Sequence, residues 1–243
     1  MVGILGISLP IVLVAGSFIF GGQSEIQSSI SEYYFTNMRD FYIGILCAIA
    51  FFMFSYRGYG KDDTAAGVLA SIFALGVAFF PTTCPDSKLS TQLAHAVSPM
   101  VNNLHLISAI CLFLVLAYFS FFLFTKMDVS PTKQKLIRNK VYRICGIIML
   151  ACIVLLVLYF QLADRTITQI EPYLPVFWIE TLALFAFGTS WLIKGSAILH
   201  DRDEKKKRRF FFRQPTQKQH QGAIHTNRVQ PNIPKRKRSR VKR

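Results

Sequence analysis

The sequence predicts an all-α fold: an integral membrane bundle of six helices in residues 1–200, followed by a disordered basic tail in residues 201–243. Hydrophobic residues make up 52% of the chain, and the mean hydropathy of +0.36 exceeds what a soluble domain needs for its core. Charge is segregated, since the tail holds 16 Lys and Arg against 3 Asp and Glu, whereas the rest holds 12 and 10. A nearly neutral apolar body excludes a basic nucleic-acid-binding domain and a wholly disordered chain, and we expect no nucleic-acid partner.

Six apolar runs have about the length that carries a helix across roughly 30 Å of hydrocarbon at about 1.5 Å per residue. The runs are continuous rather than alternating, and a lipid-facing backbone must satisfy its own hydrogen bonds, so helices are predicted rather than the strands of a barrel. The second and third runs are slightly short and are expected to extend into their flanks. The predicted spans are residues 2–20, 41–56, 65–80, 104–124, 144–160 and 176–193.

The first apolar run has a second interpretation, as a signal peptide. Its later part contains small residues, Ala15, Gly16 and Ser17, of the kind that precede a cleavage site. The run lacks a preceding Lys or Arg and is long for the apolar core of a signal peptide, which favours a retained span. Cleavage would leave five spans and place the new N-terminus outside.

The third run carries alanine at every fourth position. Ala66, Ala70, Ala74 and Ala78 therefore share one face of a helix. A face of small side chains allows another helix to approach closely, so we assign this face a role in helix packing.

Aromatic rings with polar groups mark the predicted ends of the spans. Such rings favour the headgroup zone of a bilayer, and we expect them to face it. The residues are Tyr56, Tyr59, Tyr142, Tyr173, Trp178 and Trp191.

The orientation follows from the Lys and Arg content of the connections, because positively charged loops tend to remain cytoplasmic. Connections after the second and fourth spans hold Arg57 and Lys61, then Lys126, Lys133, Lys135, Arg138, Lys140 and Arg143. The other three connections hold one each: Arg39, Lys88 and Arg165. We therefore expect a multi-pass protein of the cell (inner) membrane, the plasma membrane, with both termini cytoplasmic.

The basic tail begins directly after the last span. Cationic side chains at that position lie within reach of an anionic inner leaflet, where each contributes about 1 kcal/mol of attraction. We expect the lipid bilayer, and anionic inner-leaflet lipids in particular, to be partners of the chain. The predicted membrane-surface residues are Lys205, Lys206, Lys207, Arg208, Arg209 and Arg213.

Polar side chains gather near the predicted outer end of the bundle. Glu180 lies five residues into the sixth span, about 7.5 Å along the helix axis. His105 begins the fourth span, and Arg39 and Asp40 directly precede the second. Polar groups inside hydrocarbon are costly and mark functional or tightly paired positions. We expect an outer polar cluster of Ser31, Tyr33, Arg39, Asp40, His105 and Glu180, with an ion pair between Arg39 and Glu180.

This cluster leaves several functions open. A non-enzymatic protein that interacts with lipid or a partner is the first interpretation. A hydrolase or transferase acting on lipid at the outer leaflet, with His105, Glu180 and Asp40 as candidate catalytic residues, is the second, and a small proton-coupled transporter using Glu180 is the third. The external histidines have no metal-ligand spacing, and the usual soluble catalytic motifs do not occur, so we expect no metal and no cofactor.

Five segments of the chain resemble a group of uncharacterised bacterial multi-pass inner-membrane proteins. The segments are Ser29–Asp40, Phe73–Thr82, Leu104–Ala109, Arg138–Met149 and Pro175–Glu180. The resemblance covers roughly residues 5–198 and excludes the tail. It implies a six-helix integral membrane protein of unknown function, in which the external Ser/Tyr/Arg/Asp segment, His105 and Glu180 belong to the shared pattern.

Overall fold

A computed structural model describes residues 1–20, 25–58, 60–83, 97–126, 133–161 and 169–195. Within these ranges the fold is all-α, as predicted, and no strand is present. The predicted disordered tail, 201–243, lies outside the described residues. The six helices are α1 (Val2–Phe20), α2 (Arg39–Phe54), α3 (Lys61–Phe79), α4 (Pro99–Tyr118), α5 (Lys133–Phe160) and α6 (Pro175–Lys194).

Three shorter helical turns complete the described elements. A 3-10 turn spans Ser31–Phe35 before α2, and another spans Glu171–Tyr173 before α6. The end of α4 widens into a π-helical turn at Phe119–Leu123. Leu174, between the second 3-10 turn and α6, has a φ of 52°, and its left-handed backbone turns the chain sharply into α6.

Each helix packs beside its neighbours in sequence, and α6 packs against α1. The six helices therefore close into a ring, in which α4 also contacts α6. Tyr42, near the start of α2, and His105, near the start of α4, both contact backbone carbonyls at the end of α3, so α3 runs antiparallel to both helices. The N-terminal ends of α2, α4 and α6 consequently lie at the same end of the ring as the C-terminal end of α3.

The ring closes where two glycines meet. A Cβ on Gly3 would lie 2.5 Å from the Gly188 carbonyl oxygen, and a Cβ on Gly188 would lie 2.6 Å from the Gly3 carbonyl oxygen. Neither helix could come so close with a larger side chain at this crossing. Small residues at a helix crossing are the usual means of bringing two membrane helices together.

The alanine face of α3 packs as predicted. Ala66 keeps 6% of its surface exposed, while Ala70, Ala74 and Ala78 keep none. The face lies among the neighbouring helices, since α3 packs against both α2 and α4. Its small side chains therefore serve the helix packing that their spacing indicates.

The aromatic rings near the end of α6 correct one expectation. Trp191 packs edge-on against Tyr56 and Phe124, with ring centroids 5.3 and 5.1 Å apart. Tyr142 is only 2% exposed and also packs against Phe124, with ring centroids 5.3 Å apart. These rings pack on one another inside one end of the bundle instead of facing headgroups. Tyr173 and Trp178, at the opposite end, are exposed as expected.

An ion pair joins α3 to the end of the π-helical turn. The Lys126 ammonium donates to the Asp63 carboxylate, which is almost fully buried in the first turn of α3. The neighbouring chain packs tightly here, since a Cβ on Gly58 would overlap the Asp63 side chain. The pair therefore ties the α3 N-terminus to the C-terminal end of the α4 segment.

The described helices turn much of their apolar surface outward. Five of them, all except the 16-residue α2, are long and apolar enough to cross a membrane. Between 28% and 44% of the most apolar stretch of each is buried inside the bundle. More than half of each stretch is therefore wholly or partly exposed, which is compatible with a multi-pass membrane protein and unfavourable in water.

Candidate functional site at the α2, α4 and α6 N-terminal end

Residues 25–36, which we call the plug segment, lie against the ends of α4 and α6. The Phe177 amide in the first turn of α6 donates to the Ser28 carbonyl at 3.0 Å. Two residues further, the Ile30 amide donates to Glu180 Oε2 at 2.6 Å. The first amides of a helix have no partner within it, so the Ser28 carbonyl supplies an acceptor that α6 lacks. The plug segment is thereby fixed to α6 by its backbone.

Side chains of the plug segment also fold it on itself. The Glu32 carboxylate accepts from the Ser28 amide at 3.1 Å and from the Ser28 hydroxyl at 2.6 Å. Thr36 donates from Oγ1 to the Tyr33 carbonyl at 2.8 Å and closes the 3-10 turn. Local hydroxyl and carboxylate partners of this kind satisfy backbone groups that would otherwise be buried without one. Tyr33 is completely buried, and its burial raises the pKa of the phenol, which stays neutral.

His105, in the second turn of α4, connects the plug segment to α3. Its Nδ1 lies 2.6 Å from the Phe80 carbonyl oxygen, and its Nε2 lies 3.0 Å from Ser31 Oγ. The carbonyl can only accept, so Nδ1 carries a proton and donates it. A ring that is 3% exposed favours the neutral form. Nε2 is then an acceptor, and the Ser31 hydroxyl donates to it.

Phe80 is available to His105 because it ends α3. Its own amide bonds back to the Gly76 carbonyl, whereas its carbonyl oxygen, at the end of the helix and before Pro81, has no intrahelical donor. The carbonyl therefore fixes the orientation of the imidazole, and the ring presents Nε2 towards the plug segment.

Tyr42 adds a second buried polar group to this end. It lies in the first turn of α2, is 1% exposed, and donates to the Val77 carbonyl at 3.3 Å. Ser31 and Glu180 lie near its hydroxyl. Ser31, Tyr42, His105 and Glu180 thus come from four different elements and meet at one end of the ring. We call these four residues the polar cluster.

The structure brings together some of the expected site residues and separates others. Ser31 and His105 are in direct contact, and Glu180 holds the residue next to Ser31. Tyr33 is buried in the plug segment. Arg39 and Asp40 are both exposed, and Asp40 occupies the first turn of α2, where its charge suits the helix dipole.

The expected ion pair between Arg39 and Glu180 is not formed between these two described residues. The Arg39 guanidinium donates to the Tyr34 hydroxyl at 2.8 Å and lies 4.4 Å from the Tyr34 ring centroid. Stacking on the partly buried Tyr34 ring leaves the Arg39 cation hydrated at the surface, whereas the Glu180 carboxylate obtains its hydrogen bond from the backbone. The prediction from opposite charges was therefore wrong for both Arg39 and Glu180.

Sequence reasoning missed three parts of this site. Tyr42 lies in an apolar run without a distinguishing neighbour, and the Glu32–Ser28 contact depends on a turn that no pattern predicted. The Phe80 carbonyl had a detectable signal, because Pro81 ends the helix and leaves that acceptor free. Within the described ranges, no group of three or more His, Cys, Asp or Glu side chains is placed to hold a metal ion.

Comparison of the chain with protein-family models, with curated proteins and with solved structures finds no match.

Proposed function

We propose that this chain is a multi-pass integral protein of the cell membrane, with both termini cytoplasmic, that contacts lipid or a partner through the outer end of its bundle. The outward-facing apolar surface of the helices carries the proposal, because such a surface requires a hydrocarbon environment. Ile4, Ile11 and Phe18 illustrate it along α1, each about half exposed.

The charges at the two ends of the ring support the orientation. Three cations lie at the end opposite the polar cluster: Arg57 between α2 and α3, Lys61 at the start of α3, and Lys126 after the π-helical turn. Among the described residues 25–42, which lie near the polar cluster, Arg39 is the only Lys or Arg. Positively charged connections favour the cytoplasm, so the polar cluster would face outward.

The position of α2 in the ring supports the interpretation that this helix is a sixth membrane span. This helix has 16 residues, about 24 Å at the usual rise, which is short for a span. It nevertheless packs between α1 and α3, both long enough to cross. A helix between two spanning neighbours shares their environment, and a locally thinner bilayer accommodates its length at modest cost.

Exposed rings beside the plug segment suit a lipid contact at the outer end. Tyr173 is 77% exposed and Trp178 is 57% exposed, and both lie at the beginning of α6. Amphipathic rings favour the headgroup zone, where they contact lipid and water together. The resemblance to uncharacterised bacterial inner-membrane proteins agrees with this assignment and stays a prediction.

Extraction of membranes with alkaline carbonate tests the integral character of the protein. The chain should remain in the membrane pellet, as a known integral protein does in the same preparation, and should be released only by detergent. Release into the carbonate supernatant would contradict the proposal.

We propose that the tail adheres to the inner leaflet. Its 16 Lys and Arg make the attraction electrostatic, and salt screens such attraction over about 8 Å at physiological ionic strength. A peptide of residues 201–243 should bind liposomes containing anionic lipid at low salt and lose that binding steeply as salt rises. Binding that does not depend on salt would exclude this mode of adhesion.

A further inference from the structure

We propose that Ser31 and His105 form a nucleophile–base pair that cleaves an uncharged carboxylic ester of a long acyl chain at the outer surface of the membrane. The proposal rests on the proposed orientation, because the substrate would reach Ser31 from the outer leaflet. It goes further by naming a reaction, two catalytic residues and a substrate class.

The geometry of the pair carries the proposal. Ser31 Oγ is 3.0 Å from His105 Nε2, within the distance at which an imidazole accepts a hydroxyl proton. The Phe80 carbonyl, 2.6 Å from Nδ1, fixes the tautomer in which Nε2 is free to accept. A serine, a base and a third group that orients the base are the three parts of an activated nucleophile.

The surroundings of the pair hold Ser31 in place. Glu180 binds the Ile30 amide at 2.6 Å, so the backbone immediately before Ser31 is fixed to α6. Ser31 keeps 8% of its surface exposed, whereas Tyr33 in the same turn keeps none. Ser31 is therefore buried, and its remaining exposure is the route by which the proposal has a bound carbonyl carbon approach the hydroxyl.

The neighbouring charges and surfaces define the substrate class. Glu32, the residue after Ser31, holds its carboxylate against Ser28, and among the described residues no Lys or Arg is hydrogen-bonded to Ser31 or His105. A carboxylate or phosphate beside the reacting carbonyl would be repelled, so the ester group is uncharged. The exposed side chains of Phe41 and Trp178 near this end favour an apolar acyl chain lying along the bundle.

The reaction balances with water as the second reactant. Ser31 Oγ forms a bond to the carbonyl carbon while its proton passes to His105 Nε2, and that proton then passes to the alcohol oxygen as the ester C–O bond breaks. Water attacks the acyl-Ser31 ester, gives a proton to Nε2, and releases the fatty acid as Ser31 Oγ regains its proton. No atom is oxidised or reduced.

A fluorescent fluorophosphonate with a long alkyl chain tests the pair in the purified full chain, in detergent. This probe reacts with serines that an adjacent base activates, so wild-type protein should be labelled, and peptide mass spectrometry should place the label on Ser31. Ser31→Ala should abolish labelling. His105→Gln should slow it at least about 100-fold, the usual contribution of a general base.

Ser190→Ala is the matched control. Ser190 is also a buried serine, but its hydroxyl bonds to the Phe187 carbonyl of its own helix, so its loss should leave the labelling rate unchanged. Hydrolysis of p-nitrophenyl octanoate should follow the same order among the variants and exceed that of p-nitrophenyl acetate. Size-exclusion chromatography establishes that each variant is folded.

Folded wild-type protein that stays unlabelled would overturn the proposal, as would a label on another serine. If Ser31→Ala does not fold, the position of the label on wild-type protein still decides the question. Labelling in detergent is independent of the orientation in the membrane. The orientation is tested separately by applying a membrane-impermeant fluorophosphonate to intact cells, where the proposal predicts labelling. Labelling in detergent without labelling of intact cells would contradict the orientation and not the Ser31–His105 pair.

Discussion

Glu180 is the residue on which the attachment of the plug segment to α6 depends most directly. Its carboxylate accepts the Ile30 amide at 2.6 Å, and removing the acceptor leaves a buried amide without a partner. We expect Glu180→Ala to cost about 1–3 kcal/mol of stability and to lower the midpoint of thermal unfolding measured in detergent. Glu180→Gln retains an acceptor oxygen and should lose less.

The exposed Asp40 provides the control for this change. Asp40→Asn changes a carboxyl group near the same end of the bundle without removing a buried acceptor, and should leave the midpoint nearly unchanged. A Glu180→Ala protein as stable as wild type would show that the plug segment does not need this contact.

Lys126 gives the chain a stability component that depends on pH. The hydrogen bond from its ammonium to Asp63 raises the pKa of Lys126 above its ordinary value of 10.5. A raised pKa means that the folded state favours the charged form, so this contribution is present at neutral pH. It is lost as pH rises past the ordinary value and through the raised one.

Lys126→Arg separates this contribution from the titration of other lysines. A guanidinium stays charged above about pH 12, so the variant should lose less stability than wild type when the thermal midpoint is followed from about pH 9 to about pH 12. Lys61→Arg, at an exposed position, is the control and should follow the wild-type curve. Identical curves for wild type and Lys126→Arg would argue against the role of the pair.

Individual partners were harder to predict than the residues that carry the chemistry. His105 and Glu180 were identified because polar groups are rare in apolar runs. Their partners depend on helix rotation, and so Glu180 binds a backbone amide while Arg39 stacks on Tyr34. Charge complementarity, which favoured pairing these two residues, does not specify rotation.

At the scale of the helices, the crossing of α1 and α6 offers a direct test of close packing. A Cβ on Gly3 would lie 2.5 Å from the Gly188 carbonyl and 2.8 Å from the Leu192 amide, both backbone atoms that cannot rotate away. Gly3→Ala should therefore separate the helices and cost about 1–3 kcal/mol. Thermal unfolding in detergent measures the loss.

Gly44 in α2 supplies a matched glycine. A Cβ there has nothing within 4 Å, so Gly44→Ala meets no obstruction and gains helix propensity of up to about 1 kcal/mol. The two variants make the same chemical change in opposite surroundings. Equal midpoints for Gly3→Ala and Gly44→Ala would contradict the close crossing.

The helices themselves were largely predictable, because a long apolar run has few other structures available to it. The residues at which the helices begin and end were harder to predict. Helix α5 begins at Lys133, well before the predicted start at 144, because the intervening Lys, Gln and Arg are good helix formers that an apolarity criterion overlooks. Tyr142 was misplaced for a related reason: a ring near the end of a span can also turn inward, and here it packs on Phe124.

At the scale of the whole molecule, the ring of six helices explains why polar residues distant in sequence meet. Antiparallel neighbours place every second helix N-terminus at one end, so Tyr42, His105 and Glu180 must share that end once the ring closes. The sequence predicted this common end from the number of spans. It could not predict the order of the ring, because order depends on which faces pack together.

The central claim is that the bundle crosses the membrane with the polar cluster outside, and cysteine accessibility tests it most directly. In a background without the native cysteines, Asn37→Cys near the plug segment and Lys135→Cys in the first turn of α5 place one thiol at each end. A membrane-impermeant thiol reagent applied to intact cells should label Asn37→Cys and should reach Lys135→Cys only after the membrane is permeabilised. Labelling of Lys135→Cys in intact cells would contradict the account.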